Sequence, residues 1–252
     1  MADSNEMAPG RARREVKECV RYEVDVPAET IAASRRTVAA LPSAVDRPRL
    51  AGVTDAGVPG FLYLPHYLSA EEQSAVLAAI EGDTSVDWSD AFETRLQKHW
   101  GWAFVYECGQ IVGGEAAPPA PALLLEVLAE RFVADGLVAT PPNQVLANKY
   151  MPGNGIGYHV DRIDLFGDVI IGVNLVVPTK FTLKSVAEPE ERVSVVMAPG
   201  SVYVLSGEAR FGWRHGITRK ARLYKRFRRA PELLPDEPWR VSLTFRDVLE
   251  AT

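Results

Sequence analysis

From residue 144 onward the chain breaks into short β-rich segments, and this cadence constrains the fold more than any other feature. Gln144–Met151, Val169–Val177, Lys180–Leu183, Arg192–Met197, Ser201–Ser206 and Trp239–Arg246 are rich in β-branched and aromatic residues. Gly, Pro or charged turns separate them, which is the signature of many short strands rather than of βαβ units. Helices early and strands late predict an α+β domain built on a β-sandwich or jelly roll, with the helices of the first half supporting it.

The first half carries the helix signals. Ser69-Ala-Glu-Glu72 is a capping box ahead of Val76, Leu77 and Ile80, with Gly82 as a stop. A second helix is predicted over Pro121 to Asp135, where Leu124, Leu128 and Phe132 recur at i, i+4 and i+8 before Gly136. Order begins at the apolar run Val58–Leu64. Residues 1–55 are rich in Ala, Arg, Ser and Pro with weak apolar periodicity, so they are read as a poorly ordered N-terminal arm, and 56–252 as one domain.

No apolar run approaches the roughly 20 residues a membrane-spanning helix needs, so no membrane is expected as partner. Two cysteines, Cys19 and Cys108, make neither a disulfide framework nor a zinc cluster. With no signal-peptide core, and with Asp3, Glu6, Glu15 and Glu18 opposing a transit peptide, a monomer in the cytoplasm or nucleus is expected. The net charge of −5 hides one asymmetry. Arg219, Lys220, Arg222, Lys225, Arg226, Arg228 and Arg229 fall together with no acid among them, seven of the chain's 28 basic residues. Such a run is either a site for phosphate-rich partners or a solvated loop or import signal, and charge alone leaves both open.

Only four histidines are present. His66 sits in a turn and reads as structural; His99, beside Trp100, is undecided. His159-Val160-Asp161 is different, because on an extended chain side chains at i and i+2 leave the same face and reach one metal ion. His215 lies downstream in Trp213-Arg214-His215-Gly216-Ile217. Two histidines and a carboxylate match the facial triad of non-haem Fe(II) oxygenases; zinc hydrolysis uses similar donors, but no committed Glu base accompanies them. The last strand bears on the choice. In Trp239–Arg246, Arg240, Ser242, Thr244 and Arg246 face one way and Val241, Leu243 and Phe245 the other. Two arginines on an inner sheet face need anionic partners. Their Cα atoms lie about 20 Å apart, and long side chains folding inward can hold the two ends of a small dicarboxylate. Asn148 and Tyr150 share a face on their own strand and can donate to the same carboxylates.

These pieces, Asn148-Lys-Tyr150-Met-Pro-Gly, His159-Val-Asp161, Ser206-Gly-Glu-Ala-Arg210, His215-Gly-Ile and Arg240 through Arg246, come in an order that resembles the AlkB family of Fe(II)- and 2-oxoglutarate-dependent dioxygenases. The resemblance covers roughly Val58 to Val248. It implies a double-stranded β-helix, with His159, Asp161 and His215 as catalytic Fe(II) ligands. Asn148, Tyr150, Arg240, Ser242 and Arg246 would hold 2-oxoglutarate; Ser242 stands where the founding bacterial member has Asn. It also implies oxidative demethylation or hydroxylation of alkylated nucleic-acid bases, in RNA or DNA.

The substrate side is thinner. Trp100, Trp102, Phe104 and Tyr106 recur at period two in the region that matches the family's nucleotide lid, and Trp100 and Trp102 are expected nearest the bound base. A stripe of this kind also serves as strand packing. Ile163 stands where the founding member has an acidic residue that discriminates bases, with Asp164 adjacent. Lys225, Arg226, Arg228 and Arg229 would grip phosphates. Two alternatives stand beside this reading: the same chemistry on a protein or other substrate, and a non-catalytic nucleic-acid-binding module.

Overall fold

The computed structural model describes residues 54–92, 94–105, 110–112, 120–231 and 236–249. The expected N-terminal arm therefore falls almost wholly outside the described residues, as does Tyr106. In chain order the elements are β1 (Phe61–Leu64), α1 (Ala70–Gly82), β2 (Ser89–Phe92), β3 (Arg95–Trp100), β4 (Ala103–Val105) and β5 (Gln110–Val112). Helix α2 follows, π-helical over Leu123–Ala129 and α-helical over Glu130–Ala134. Then come β6 (Gln144–Tyr150), β7 (Ile156–His159), β8 (Phe166–Leu175), β9 (Thr179–Ser185), β10 (Arg192–Met197), β11 (Ser201–Leu205) and α3 (Gly207–Phe211). β12 (Trp213–Ile217), α4 (Ala221–Arg229) and β13 (Arg240–Val248) complete the described elements.

Two antiparallel sheets face each other. The larger runs β1-β11-β8-β13-β6-β3-β2 and the smaller β10-β9-β12-β7, with β4 and β5 as a separate two-stranded sheet. This arrangement fits a jelly-roll core. Alternation sets what each face of the large sheet buries. Val241, Leu243 and Phe245 of β13 join Val145, Ala147, Ile171, Val173, Val202 and Val204 on one side, where Val76 and Ile80 of α1 and Leu124, Leu128 and Phe132 of α2 cover them. Each such side chain contributes on the order of 2 kcal/mol by leaving water. The helices thus occupy the outer face, and the other face is left to look across at the small sheet.

The capping box forms as its sequence dictates: Glu72 N donates to Ser69 Oγ at 3.2 Å and Ser69 N to Glu72 Oε2 at 2.9 Å. Arg131 of α2 donates to Glu72 Oε1 at 2.6 Å, tying the two helices together. No helix among the described residues is long and apolar enough to cross a membrane.

Two strands absent from the expected set, β7 and β12, carry the metal-site histidines. Both are short and glycine-containing, so alternation is too brief to register. The basic run is a correction of another kind. It forms the helix α4 rather than a solvated loop, because Tyr224 is buried and Leu223 and Phe227 half-buried while the cations point outward. The helix seats on the turn after β6: a Cβ on Gly153, whose φ is +73°, would meet Tyr224 N at 2.7 Å and Leu223 Cβ at 2.9 Å. Glycine is required there on both counts.

Candidate metal centre and co-substrate cleft

The cleft between the sheets is lined by a largely polar face of the large sheet and by a mixed face of the small one, from which the two histidines project. From the large sheet come Arg95 and Gln97 of β3, Leu146, Asn148 and Tyr150 of β6, Asn174 of β8, Tyr203 of β11, and Arg240, Ser242, Thr244 and Arg246 of β13. From the small sheet come Ile156 and His159 of β7, Phe181 of β9, and His215 and Ile217 of β12. Asp161 enters from the loop after β7.

His159 and His215 are direct partners in the β7–β12 ladder, so both imidazoles leave neighbouring strands side by side. Their ring centroids lie 4.3 Å apart. Nε2 of His159 is 4.0 Å from Asp161 Oδ1, and Nε2 of His215 is 3.8 Å from Asp161 Oδ2. The three ligand atoms lie within 4.8 Å of one another, which fits one small ion among them. His159 Nδ1 is 2.8 Å from the Gly157 carbonyl. Donation there leaves the Nε2 lone pair facing the shared space, a common way of orienting a metal ligand.

The electrostatics suit a cation. Burial alone would raise the Asp161 carboxyl, but Arg246 foremost, then His215, His159 and Arg210, hold it well below the usual carboxylate range. Burial, with His159 beside it, pushes His215 down to about 3. At neutral pH Asp161 thus offers a carboxylate and His215 a neutral imidazole, each with a lone pair to give.

Positioning comes from arginines. Arg210 of α3, buried, donates to the carbonyls of Asp161 at 2.9 Å and of Arg162, Gly167 and Phe166 at 3.3 Å each. It therefore splints the loop that carries the carboxylate ligand. Arg246 donates from Nη1 to Asp161 Oδ1 at 3.2 Å and from Nε to Gln144 Oε1 at 2.8 Å. Gln144 in turn donates to the Trp102 carbonyl at 2.6 Å.

The opposite end of the cleft has buried donors in want of an acceptor. The Arg240 guanidinium carbon lies 3.6 Å from the centroid of the Tyr150 ring, and Nη1 reaches Ser242 Oγ only at 3.5 Å. Its Nε and Nη2, like Nη2 of Arg246, are buried with no hydrogen-bond partner. Buried guanidinium N–H groups left in this state are costly. An anionic co-substrate would satisfy them, and a dicarboxylate with one end near each arginine would match the chemistry of the donors. Asn148 Oδ1 is held by Gln97 at 2.8 Å, which turns its amide nitrogen toward the remaining space. Gly172 of β8 makes room for Tyr203: a Cβ there would fall 2.0 Å from the Tyr203 ring.

The substrate-side expectations divide. Trp100 is corrected: it is fully buried in the core beneath α1 and α2, its indole N–H on Asp83. On β3 it shares parity with Lys98 and faces the helices, whereas Arg95, Gln97 and His99 face the cleft side. His99 is pushed down to about 4 by burial, with Arg246 and Arg95 adding. Trp102 is half-buried against the cluster that contains Phe166 and Leu205. Ile163 is half-buried, and Asp164 is engaged by Arg162, whose Nε donates to Oδ1 at 2.6 Å. Lys225, Arg226, Arg228 and Arg229 are exposed on α4. A groove beside that helix, lined by Lys220, Leu223, Lys180 and Glu237 among others, meets the main cleft at Ile217 and Arg240. Arg95, Gln97 and Tyr203, which line the cleft, and Gln144 and Arg210, which back it, are given no site role from sequence, since only contacts between distant segments bring them there.

A facial set of two imidazoles and a carboxylate, mounted on the small sheet of a jelly roll and backed by buried arginines, defines a non-haem iron oxygenase centre. A profile of the 2OG-Fe(II) oxygenase superfamily matches residues 60–246, and the chain belongs to that superfamily as an AlkB-like member. Fe(II) and 2-oxoglutarate are the cofactor and co-substrate of that class, and the donors described here fit both. The chain is 32% identical over 162 residues to the tRNA (carboxymethyluridine(34)-5-O)-methyltransferase alkbh8 of Xenopus tropicalis, covering 64% of this chain and 25% of that protein. It is 27% identical over 191 residues to the uncharacterized protein L905 of Acanthamoeba polyphaga mimivirus, covering 76% and 86% respectively. The match thus spans about a quarter of the length of the methyltransferase. Among solved structures, OsALKBH1 superposes with a TM-score of 0.55 at 18% identity, over 75% of this chain and 96% of that one, a likeness of fold.

Proposed function

We propose that this protein oxidatively dealkylates or hydroxylates bases of a nucleic acid, RNA or DNA. The observation that carries the reading is a cationic helix beside a cleft with oxygenase donors, on a chain of net charge −5. Lys225, Arg226 and Arg229 of α4 are exposed, with no carboxylate partner among the described residues. An AlkB-like relative named for action on tRNA supports the same substrate class.

In this reading His159, Asp161 and His215 hold Fe(II), and Arg240, Tyr150, Ser242, Asn148 and Arg246 hold 2-oxoglutarate. Together the bound groups supply oxidation, in which O₂ and 2-oxoglutarate give succinate, CO₂ and a hydroxylated substrate carbon. The chain's own part is positioning. Arg210 and Arg246 keep Asp161 ionised and pointed; Gly157 orients His159; Arg240 anchors an anion at the far end. An N-methyl substrate hydroxylated in this way loses formaldehyde.

The test is succinate and formaldehyde release with Fe(II), 2-oxoglutarate and a panel of alkylated oligonucleotides. Stoichiometric formaldehyde with one or more N-methylated bases is expected. Succinate release that no oligonucleotide stimulates, but that a peptide panel does, would overturn the reading in favour of a protein substrate.

A further inference from the structure

The small sheet has a second face. While His159, Phe181 and His215 line the cleft, alternate residues of the same strands lie on the opposite face. Strand register sets three of them in a line: Arg192 of β10 opposes Lys184 of β9, and Lys184 opposes Arg214 of β12. Arg192 and Arg214 are exposed and Lys184 half-buried. Adjacent strands lie about 4.8 Å apart, so the row spans roughly 10 Å. Like charges directly opposite on a sheet are destabilising, and these lie within a Debye length of one another. Glu188, Glu190 and Glu191 occupy the nearby β9–β10 turn, yet none pairs with these cations among the described residues.

The line does not end in bare charge. In the next row Ser194 and Thr182 share a hydrogen bond at 2.9 Å, and Thr182 opposes Gly216. Across Gly216 lies Tyr158 on the edge strand β7: a Cβ on Gly216 would meet the Tyr158 ring at 3.0 Å. Lys184 Nζ sits 4.1 Å from the Tyr158 ring centroid, and the Tyr158 hydroxyl is 3.4 Å from Thr218 Oγ1. Tyr158 is the chain neighbour of His159, and Arg214 of His215. Each pair sends one side chain to the metal centre and the other to the outer face.

We propose that this outer face, Tyr158 with Lys184, Arg192 and Arg214, is a track for the phosphodiester backbone of a single strand leaving the cleft over the edge strand β7. The proposal rests on the nucleic-acid reading above and adds to it a surface on the far side of the small sheet, separate from α4. Cations in a row match successive phosphates of one strand, and a half-exposed tyrosine beside them offers a stacking surface that duplexed bases cannot use.

The experiment compares the parent with a Lys184→Ser/Arg192→Ser/Arg214→Ser variant and with Tyr158→Ala. Binding is measured against salt for a short single strand that fills only the cleft and for a longer one. For the long strand, the triple variant should lose roughly tenfold in affinity, and its log–log salt slope should flatten by about two units, at about 0.7 per phosphate contact. The short strand should bind as to the parent, and 2-oxoglutarate turnover without nucleic acid should be unchanged. Tyr158→Ala should weaken long-strand binding at every salt concentration without altering the slope. Thermal melting controls for folding, and Arg192→Ser alone serves if the triple variant melts early. A triple variant with the parent's long-strand affinity and slope, while a neutralised α4 weakens binding, would overturn the track and leave the nucleic-acid reading standing. Absence of nucleic-acid binding by the parent would overturn that reading itself.

Discussion

Arg246 touches Asp161: its Nη1 donates to Oδ1 at 3.2 Å, while its Nε is fixed by Gln144 and its guanidinium lies 3.8 Å from the Phe166 ring centroid. The arginine expected to hold one end of a dicarboxylate also holds the carboxylate of the candidate metal centre, with Nη2 still to be satisfied. One side chain is thereby placed to couple ligand geometry to co-substrate binding. Arg246→Lys keeps the charge but loses the fork. It should weaken Fe(II) affinity and raise the 2-oxoglutarate requirement together, each by roughly tenfold. Metal titration and initial rates at varied 2-oxoglutarate check this, and a change in only one of the two would count against the coupling.

At the other arginine the expectation is simpler. Arg240→Ala should raise the 2-oxoglutarate requirement by about 10–100-fold, the worth of a charge-assisted hydrogen bond, with Arg240→Lys recovering part of it. A half-saturation measurement at fixed Fe(II) decides the point. Unchanged dependence in Arg240→Ala would place the co-substrate elsewhere.

Asp161→Asn removes the negative charge from the facial set while preserving its shape. The parent should gain melting temperature with Fe(II), or with Mn(II) as a redox-silent substitute, because ligand bound only to the folded state stabilises it. The variant should gain little. Chelation should abolish succinate release in the parent and reverse on adding Fe(II).

The buried histidines set the acid side of the stability profile of the metal-free protein. His99 is pushed down to about 4 and His215 to about 3 by burial. Between those values and about 6.5 the unfolded chain binds more protons than the native one. Their stabilising contribution is therefore complete above about pH 6.5 and is lost as pH falls toward about 4 for His99 and about 3 for His215. Each histidine costs up to about 1.4 kcal/mol per pH unit within that window. Urea unfolding across it should show a shallower slope in His99→Leu; the parent's slope in that variant would mean that His99 does not titrate on unfolding.

Gly172→Ala places a methyl against the Tyr203 ring. Destabilisation of about 1–3 kcal/mol is expected from the overpacking, with weaker 2-oxoglutarate binding as Tyr203 is displaced from the cleft wall. Denaturant melts and a 2-oxoglutarate titration report the two effects separately.

On α4, replacing Lys225, Arg226, Arg228 and Arg229 with Ser should weaken oligonucleotide binding and flatten its salt dependence by up to about one unit per lost contact. Turnover of 2-oxoglutarate without nucleic acid should be preserved. Equal binding and slope in variant and parent would return the helix to a merely solvated face.

What the sequence determined by itself was local or periodic. The capping box at Ser69–Glu72 needs only four consecutive residues, and it forms as read. Period-two alternation in β13 obliges Arg240, Ser242, Thr244 and Arg246 to share a face whatever surrounds them, and that face lines the cleft. His159 and Asp161, two residues apart, likewise needed no partner strand to be read as a pair. Tertiary structure decided everything that depends on pairing between distant segments. Alternation along β3 separates His99 from Trp100 but cannot say which side the helices will cover, so the tryptophan read as a substrate contact is core. Arg210 became the splint of the Asp161 loop only because α3 packs against it, 49 residues away in the chain. The row Arg192–Lys184–Arg214 exists only in the registers of β10, β9 and β12. Local sequence sets which side chains share a face; the free energy of packing one sheet on another, summed over the whole domain, sets what that face meets.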